Sequence, residues 1–394
     1  MKKQTQAIHL EYERRDAYDS LSVPVYNTLA YEFDNAAVMA EAFTDKIKAP
    51  DYSRVENPTV TNLERRVAAL TDAAHATAFN SGMAAISNTL MALAAQGKNI
   101  VTSKHLFGNT YALLVATLRR FGVKVRLRDL TNIEAVREAI DDDTCCVFLE
   151  ILTNPQLEVA DLKAISEVAH EKKVPLVVDS TVIPFTQFSA KSLGVDIEVV
   201  SSSKYVSGGA TSLGGLVIDY GTPYNGDFAK RLYGEMLFNF GAYMTPQVAY
   251  MQTIGLETLD ARYRVQSGNA LELAKKLRSL PQIKYVNYVG LEDNPYHELA
   301  QRQFGKTAGA MICIDLESKE ACFSFLNNLK LIHRATNLFD NRSLAIHPAS
   351  TIFGAFSESM RKSMDVKDTT IRLSVGLEDV DDLFEDIKQA VNSL

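Results

Sequence analysis

Between Asn57 and about residue 250 the chain alternates two kinds of apolar spacing. Stretches with apolar residues three and four apart, the helical period, are separated by short runs that are apolar at almost every position. Val60–Leu70 has the helical spacing. Lys98–Ser103 reads as a strand, Tyr111–Phe121 as a helix, and Val123–Leu127 as a strand. Ile133–Ile140 is helical, Cys145–Leu149 a strand, Leu162–Glu171 a helix and Val174–Val178 a strand. Strands that are apolar throughout have no solvent face. Alternation with helices therefore predicts an α/β fold, a mostly parallel sheet covered by helices on both faces.

The pattern changes near residue 250. Leu256–Leu280 reads as one long helix, Ala310–Leu316 as a strand and Val380–Val391 as a closing helix. This predicts a smaller C-terminal α+β domain over residues 251–394, after a large domain over 56–250. Residues 1–55 are polar and tyrosine-rich with little periodicity, the character of an arm that contacts a neighbouring subunit. Composition adds exclusions. The 394 residues are 46% hydrophobic and 23% charged, ordinary for a soluble enzyme. A net charge of −7 argues against nonspecific nucleic-acid binding, so any anionic ligand must be held by a local site. The four cysteines, Cys145, Cys146, Cys313 and Cys322, form no CxxC pair. Reduced, buried thiols are expected, with neither metal site nor disulfide framework. The polar start Met1-Lys2-Lys3-Gln4 and the lack of a long apolar stretch predict a cytoplasmic protein with no membrane segment.

Five segments carry candidate chemistry. In Val199–Gly209 an apolar strand ends in Ser201-Ser202-Ser203, then Lys204, then a glycine pair. A lysine able to form a Schiff base beside phosphate-binding hydroxyls is one half of what pyridoxal phosphate needs. Asp179, at the end of the apolar run Pro175–Asp179, is the other half, because a carboxylate at the pyridine nitrogen keeps that nitrogen protonated. Ser81-Gly82-Met83 opens a run of helix formers, and a helix start binds phosphate through free N–H groups. Phe107, beside Gly108, can stack on a planar ring. Arg372, on the apolar strand Thr370–Val375, needs an anion and matches a substrate carboxylate. Alone, each has an ordinary reading: a solvated lysine, helix N-caps at Asp179 and Ser81, a core phenylalanine, a structural salt bridge.

Together these segments resemble the transsulfuration enzymes, the Cys/Met-metabolism family of pyridoxal phosphate-dependent enzymes, whose members have the type I fold. Tyr52–Thr59 is similar to that family's YSR-x-x-NPT, and Ser81–Ala85 to its SGMAA. Thr153-Asn154-Pro155 and Val178–Thr181 are similar to TNP and VDNT. Ser201–Tyr205 resembles S-x-T-K-Y, His347–Ser350 resembles HPAS, and Arg372–Gly376 resembles RLSVG. The resemblance runs in order from about Val23 to the C-terminus. It implies that Lys204 carries the cofactor and shuttles protons, and that Asp179 pairs with the ring nitrogen. Gly82, Met83, Ser201 and Ser203 would hold the phosphate. Tyr52 and Arg54 would reach it from a neighbouring subunit, so the site needs a homodimer at minimum, and the family is usually a homotetramer. Phe107 would stack on the ring and Asn154 would lie near its hydroxyl. Arg372, helped by Ser343, would bind the substrate carboxylate.

The chain also departs from the family. A tyrosine that can act as acid or base usually stands where this chain has Phe107. Asn109 replaces a glycine or cysteine, Ala210 replaces a histidine, and HPAS-x-TH becomes His347–Phe353. These changes affect proton donation to the leaving group, not cofactor binding. A thiolate leaves with difficulty unless protonated, whereas a carboxylate, whose acid has a pKa of roughly 4 to 5, leaves readily. Asn337–Pro348 is similar to NIGDARTL-x-IHP, and Ala210–Gly215 to GTSIGG, both of O-acetylhomoserine sulfhydrylases. The expected activity is γ-replacement on O-acetyl-L-homoserine by sulfide or a small thiol, giving homocysteine or methionine. Arg372–Leu383 is equally similar to methionine γ-lyase, so a methionine or cystathionine γ-lyase remains open, as does cystathionine γ-synthase.

Overall fold

The computed structural model describes residues 1–10, 16–44, 46–306 and 308–394. Seven strands form the main sheet: β1 (His75–Phe79), β2 (Asn99–Ser103), β3 (Lys124–Arg128), β4 (Thr144–Glu150), β5 (Leu176–Asp179), β6 (Ile197–Val200) and β7 (Gly215–Asp219), in the order β1-β7-β6-β5-β4-β2-β3. Only β7 runs antiparallel to its neighbours. The apolar runs of β4, β5 and β6 are buried on both faces. Successive residues serve opposite layers: Val147 and Leu149 pack on one side, Cys146 and Phe148 on the other.

A second, five-stranded sheet is built from β8 (Tyr285–Asn287), β9 (Met311–Asp315), β10 (His333–Arg334), β11 (Leu344–Ile346) and β12 (Thr370–Ser374), in the order β10-β11-β12-β9-β8. Its apolar residues Ile312, Ile314 and Ile371 belong to the same continuous core as Val147 and Leu149. The link is the helix Pro246–Leu277, capped by the Thr245 hydroxyl with proline at its first position. It packs on the helix Pro58–Thr71 of the first unit and on the closing helix Val380–Val391.

Several elements differ from the sequence expectation. The long helix starts ten residues before Leu256, so the expected boundary at residue 250 falls inside it. The helix expected over Tyr111–Phe121 begins at Gly108, widens into a π-type turn at Leu113–Thr117, and tightens into a 3-10 turn at Leu118–Phe121. Strands β1 and β7 were not expected. His75–Phe79 is rich in small and polar residues, and Gly215–Asp219 is a short run behind two glycines. The arm is mixed. Its first helix, Lys3–His9, docks on its own chain, with Lys3 Nζ donating to the carbonyls of Phe185 and Phe188 at 3.2 and 2.9 Å. Beyond it, Leu29 and Phe43 stand 63% and 58% exposed. Arm residues 11–15 and 45 lie outside the described residues. All four cysteines are free; Cys145 is half-buried and the other three are buried. No helix among the described residues is long and apolar enough to cross a membrane.

Gly255 lets the long helix press on the loop that carries Lys204. A Cβ there would lie 1.9 Å from the Val206 carbonyl oxygen, a backbone atom that cannot swing aside. Gly255→Ala gains helix propensity of about 1 kcal/mol. The overlap should outweigh that gain and leave a net destabilisation of about 1–3 kcal/mol, read by urea unfolding. A stabilised variant would mean the contact is looser than described.

Candidate active site

The carboxyl ends of β1, β2, β4, β5 and β6 carry the loops that hold most of the candidate residues, as open α/β sheets require of a ligand site. After β1, Ser81 caps the helix Gly82–Leu93. Its hydroxyl accepts from Ala84 N at 3.1 Å and its carbonyl from Ala85 N at 3.0 Å. The N–H groups of Gly82 and Met83 remain at the helix mouth. This mouth is closed down onto the loop after β6: a Cβ on Gly82 would lie 2.6 Å from Ser201 Cβ. Ser201 N donates to Thr181 Oγ1 at 2.8 Å, and so ties that loop to the turn after β5. Ser203 is turned towards Gly214, donating to its carbonyl at 3.1 Å and accepting from its N–H at 2.9 Å.

Lys204 Nζ donates to Asn337 Oδ1 at 2.8 Å. Burial, then the positive charge of Arg372, lowers its ammonium to about 8. Arg372 lies in β12, buried, between Ile346 and Cys313 of the flanking strands. It donates to Asn154 Oδ1 at 3.3 Å and to the Asn337 carbonyl at 3.1 Å, while its buried Nε has no partner. Lys204, Arg372, Asn154 and Asn337 thus form one constellation drawn from both sheets. Ser343 is not part of it. Its hydroxyl donates to Glu378 at 2.9 Å and accepts from Gly376 N at 2.9 Å, further along the strand. The expectation that Ser343 assists Arg372 is corrected: Asn337 holds that place. Asn337 stood within the Asn337–Pro348 segment, but a hydroxyl was sought where an amide was present.

Asp179 accepts from Thr181 N at 2.9 Å, and burial pushes its carboxyl up. It sits in register with Glu150 on the neighbouring strand β4. Glu150 is buried, and its Oε1 accepts from the Phe107 N–H at 2.5 Å. Burial, then the charge of Asp179, pushes the Glu150 carboxyl up to about 8. Glu150 was missed, although its signal was the same as that of Asp179: an apolar strand ending in an acid. Tyr52 is 40% exposed. The Arg54 guanidinium stacks 5.5 Å from the Tyr52 ring centroid and donates to the Phe238 carbonyl, at a turn whose Ala242 carbonyl accepts from Asn80 N at 2.9 Å. Neither side chain joins the Lys204 constellation within one chain.

The residues present suit a phosphorylated, cationic ring. A helix mouth and serines face one another, a buried carboxylate lies at a strand end, and a lysine is tuned towards the free amine. The family model for Cys/Met metabolism PLP-dependent enzymes matches residues 4–392. The chain belongs to that family. Its members depend on pyridoxal phosphate and act in sulfur amino-acid metabolism. The chain is 38% identical to an L-methionine gamma-lyase of Fusobacterium nucleatum subsp. polymorphum, over 99% of this chain and 98% of that protein. It is 32% identical to an O-acetyl-L-homoserine sulfhydrylase of Corynebacterium glutamicum, over 98% and 95%. A solved structure described as an O-acetylhomoserine (thiol)-lyase of Campylobacter jejuni superposes with a TM-score of 0.95 at 35% identity, covering 100% of both chains. That structure carries a pyridoxyl-lysine phosphate group.

His105, two residues before Phe107, anchors this family member's ring-side loop. Its Nδ1 lies 3.1 Å from Glu158, and its Nε2 2.8 Å from Asp365, which also pairs with Lys104 at 2.7 Å. Burial pulls the imidazolium down, but the two carboxylates outweigh it and the net shift is upward. The folded pKa therefore exceeds the unfolded value of about 6.5. The stabilisation is complete below that pH and is lost as pH rises through the folded pKa. The difference in melting temperature between wild type and His105→Gln should shrink as pH is raised from roughly 6 to 9. A difference that stays constant over that range would show that the clasp does not depend on the charge of His105.

Proposed function

We propose that this enzyme catalyses γ-replacement on O-acetyl-L-homoserine, with sulfide or a small thiol as the incoming group, to give homocysteine or methionine. The observation that carries this reading is Phe107. It is tied through its N–H to Glu150, beside Asp179, and presents a ring with no proton to give where the family usually has a tyrosine. Acetate needs no such proton, whereas a thiolate does. The methionine γ-lyase reading is favoured by the 38% identity with the Fusobacterium protein. The two activities differ in their need for a group that protonates the leaving atom.

When bound, the cofactor supplies an electron sink for the pair left on Cα. In this reading Lys204 holds the cofactor and moves the protons, first from Cα and then from Cβ. Its ammonium, lowered to about 8, keeps a usable fraction of free base near neutral pH. Asp179 faces the ring nitrogen. Gly82 and Met83 through their N–H groups, with Ser201 and Ser203 through their hydroxyls, take the phosphate, the Ser203 O–H turning to it from the Gly214 carbonyl. Phe107 stacks on the ring, and Asn154 lies near its hydroxyl. Arg372 receives the α-carboxylate, with Asn337 holding the guanidinium from the other side. Buried among neutral acceptors, this guanidinium is a strong and specific anchor for one carboxylate. Tyr52 and Arg54 serve the phosphate of a neighbouring subunit, and the residue 1–55 arm, with Leu29 and Phe43 standing in solvent, covers that neighbour. The assembly is a homodimer at minimum, with a tetramer of two such dimers as the expected form. The large domain over 56–250 holds the cofactor, and 251–394 supplies Arg372.

Two measurements test this. Wild type should prefer O-acetylhomoserine over methionine in kcat/KM by at least ~10²-fold, the lower end of what one positioned acid contributes. Phe107→Tyr should narrow that ratio by raising methionine elimination. Equal turnover of both substrates by wild type would transfer the assignment to the γ-lyase. For the assembly, inactive Arg54→Ala subunits mixed with inactive Lys204→Ala subunits should recover partial activity in hybrid dimers. No recovery despite demonstrated subunit exchange would mean that each site is complete within one chain.

A further inference from the structure

Glu150 touches three of the candidate site residues and has no assigned task. It ends β4, buried, one strand away from Asp179 and in register with it. Its Oε1 accepts from the Phe107 N–H at 2.5 Å, and the backbone N–H of Asn154 also faces its carboxyl. Phe107 lies in the loop after β2, and Asn154 in the loop after β4. The His105–Glu158 contact also joins these two loops, but the carboxyl of Glu150 is the group that meets the backbones of Phe107 and Asn154 themselves. The Asn154 side chain in turn accepts from Arg372 at 3.3 Å. A displacement of Glu150 therefore reaches the ring-stacking residue, the residue beside the ring hydroxyl, and the carboxylate anchor together.

We propose that Glu150 is a positioning residue of the active site, holding the backbones of Phe107 and Asn154 in one fixed arrangement around the cofactor ring that Asp179 faces. This rests on the cofactor site described above. The protonation state fits the task. Burial and the neighbouring Asp179 push the Glu150 carboxyl up to about 8, so near neutral pH it is mostly the neutral acid. A neutral acid still accepts through its carbonyl oxygen. What the site requires of Glu150 is thus an acceptor at a set reach, and not a charge.

Glutamine and methionine separate these requirements, since both match the length of glutamate but only glutamine keeps the acceptor. The apoenzyme of each variant would be titrated with pyridoxal phosphate, following the visible circular dichroism band, which reports ring orientation, together with kcat and KM. Glu150→Met should raise the cofactor Kd about tenfold or more, diminish the band, and lower kcat more than it raises KM for the amino acid. Glu150→Gln should keep Kd and band within about threefold of wild type. Should Glu150→Met fail to fold, Glu150→Asp, which withdraws the acceptor by one methylene, should show the same loss in weaker form. The proposal is overturned if a folded Glu150→Met binds and orients the cofactor as wild type does. It is also overturned if Glu150→Gln is as damaged as Glu150→Met. Wild type that gains no visible band on adding pyridoxal phosphate would refute the cofactor site itself, a result distinct from either of these.

Discussion

Arg372 is a cation buried without a carboxylate. Among the described residues its partners are neutral: the Asn154 amide oxygen and the Asn337 carbonyl, with Nε left unsatisfied. A guanidinium in that setting is costly, and burial lowers even its pKa to about 10. Lys204, the second cation of the same hollow, is likewise met by an amide oxygen, that of Asn337. Much of the remaining architecture is arranged around this pair. The main sheet delivers Lys204, the second sheet delivers Arg372, and the two asparagines keep both cations in place without neutralising them. Donors held this way are already oriented, so an anion meeting them would spend little binding energy on rearrangement.

The opposite charge is handled in the same way. Asp179 and Glu150 lie side by side at the ends of adjacent strands, in register, where two ionised carboxylates would repel at low dielectric. The backbone resolves the conflict through unequal surroundings. Asp179 keeps a hydrogen bond from Thr181 N in the turn after β5. Glu150 is raised by burial and by Asp179 itself, to about 8. The pair is thereby kept from carrying two full charges side by side. Asn154 bridges the two groups of charges, its side chain accepting from Arg372 and its backbone N–H facing Glu150.

Much of this was legible in the sequence, and the misses have physical causes. Strands buried on both faces announce themselves by apolar runs, clearest in β4 and β5 and interrupted by polar residues in β2 and by Glu198 in β6. Asp179 and Lys204 stand out in the sequence because ligands collect at the strand ends of a parallel sheet. β1 and β7 were hidden, because a small-residue strand and a short strand behind glycines carry no periodic signal. The start of the long helix was hidden because Pro246–Gly255 is mixed in polarity, and its cap is a single threonine. Ser343 was taken for the partner of Arg372 because both lie near the same strand pair. One-dimensional proximity does not say which side chain points where: its hydroxyl is committed to Glu378, and the backbone turn at Phe339, with φ of 56°, brings Asn337 in its stead. Tyr52 is exposed and Arg54 half-buried, and neither joins the Lys204 constellation within one chain.

On the reading proposed above, the choice between ester and thioether as substrate would rest on a small difference. Chains 32% and 38% identical to this one carry different activities on the same framework. The groups that bind the cofactor and the carboxylate impose requirements on the α-carbon end, and these are common to both reactions. Only a proton delivered at the far end distinguishes a poor leaving group from a good one. A ring held at Phe107 by its backbone keeps its place whether or not it bears a hydroxyl, because the tether runs from the Phe107 N–H to Glu150. Position and acidity at that residue are then separable. A chain can lose the acid while retaining the stack, and so move from one substrate class to the other without disturbing the rest of the site.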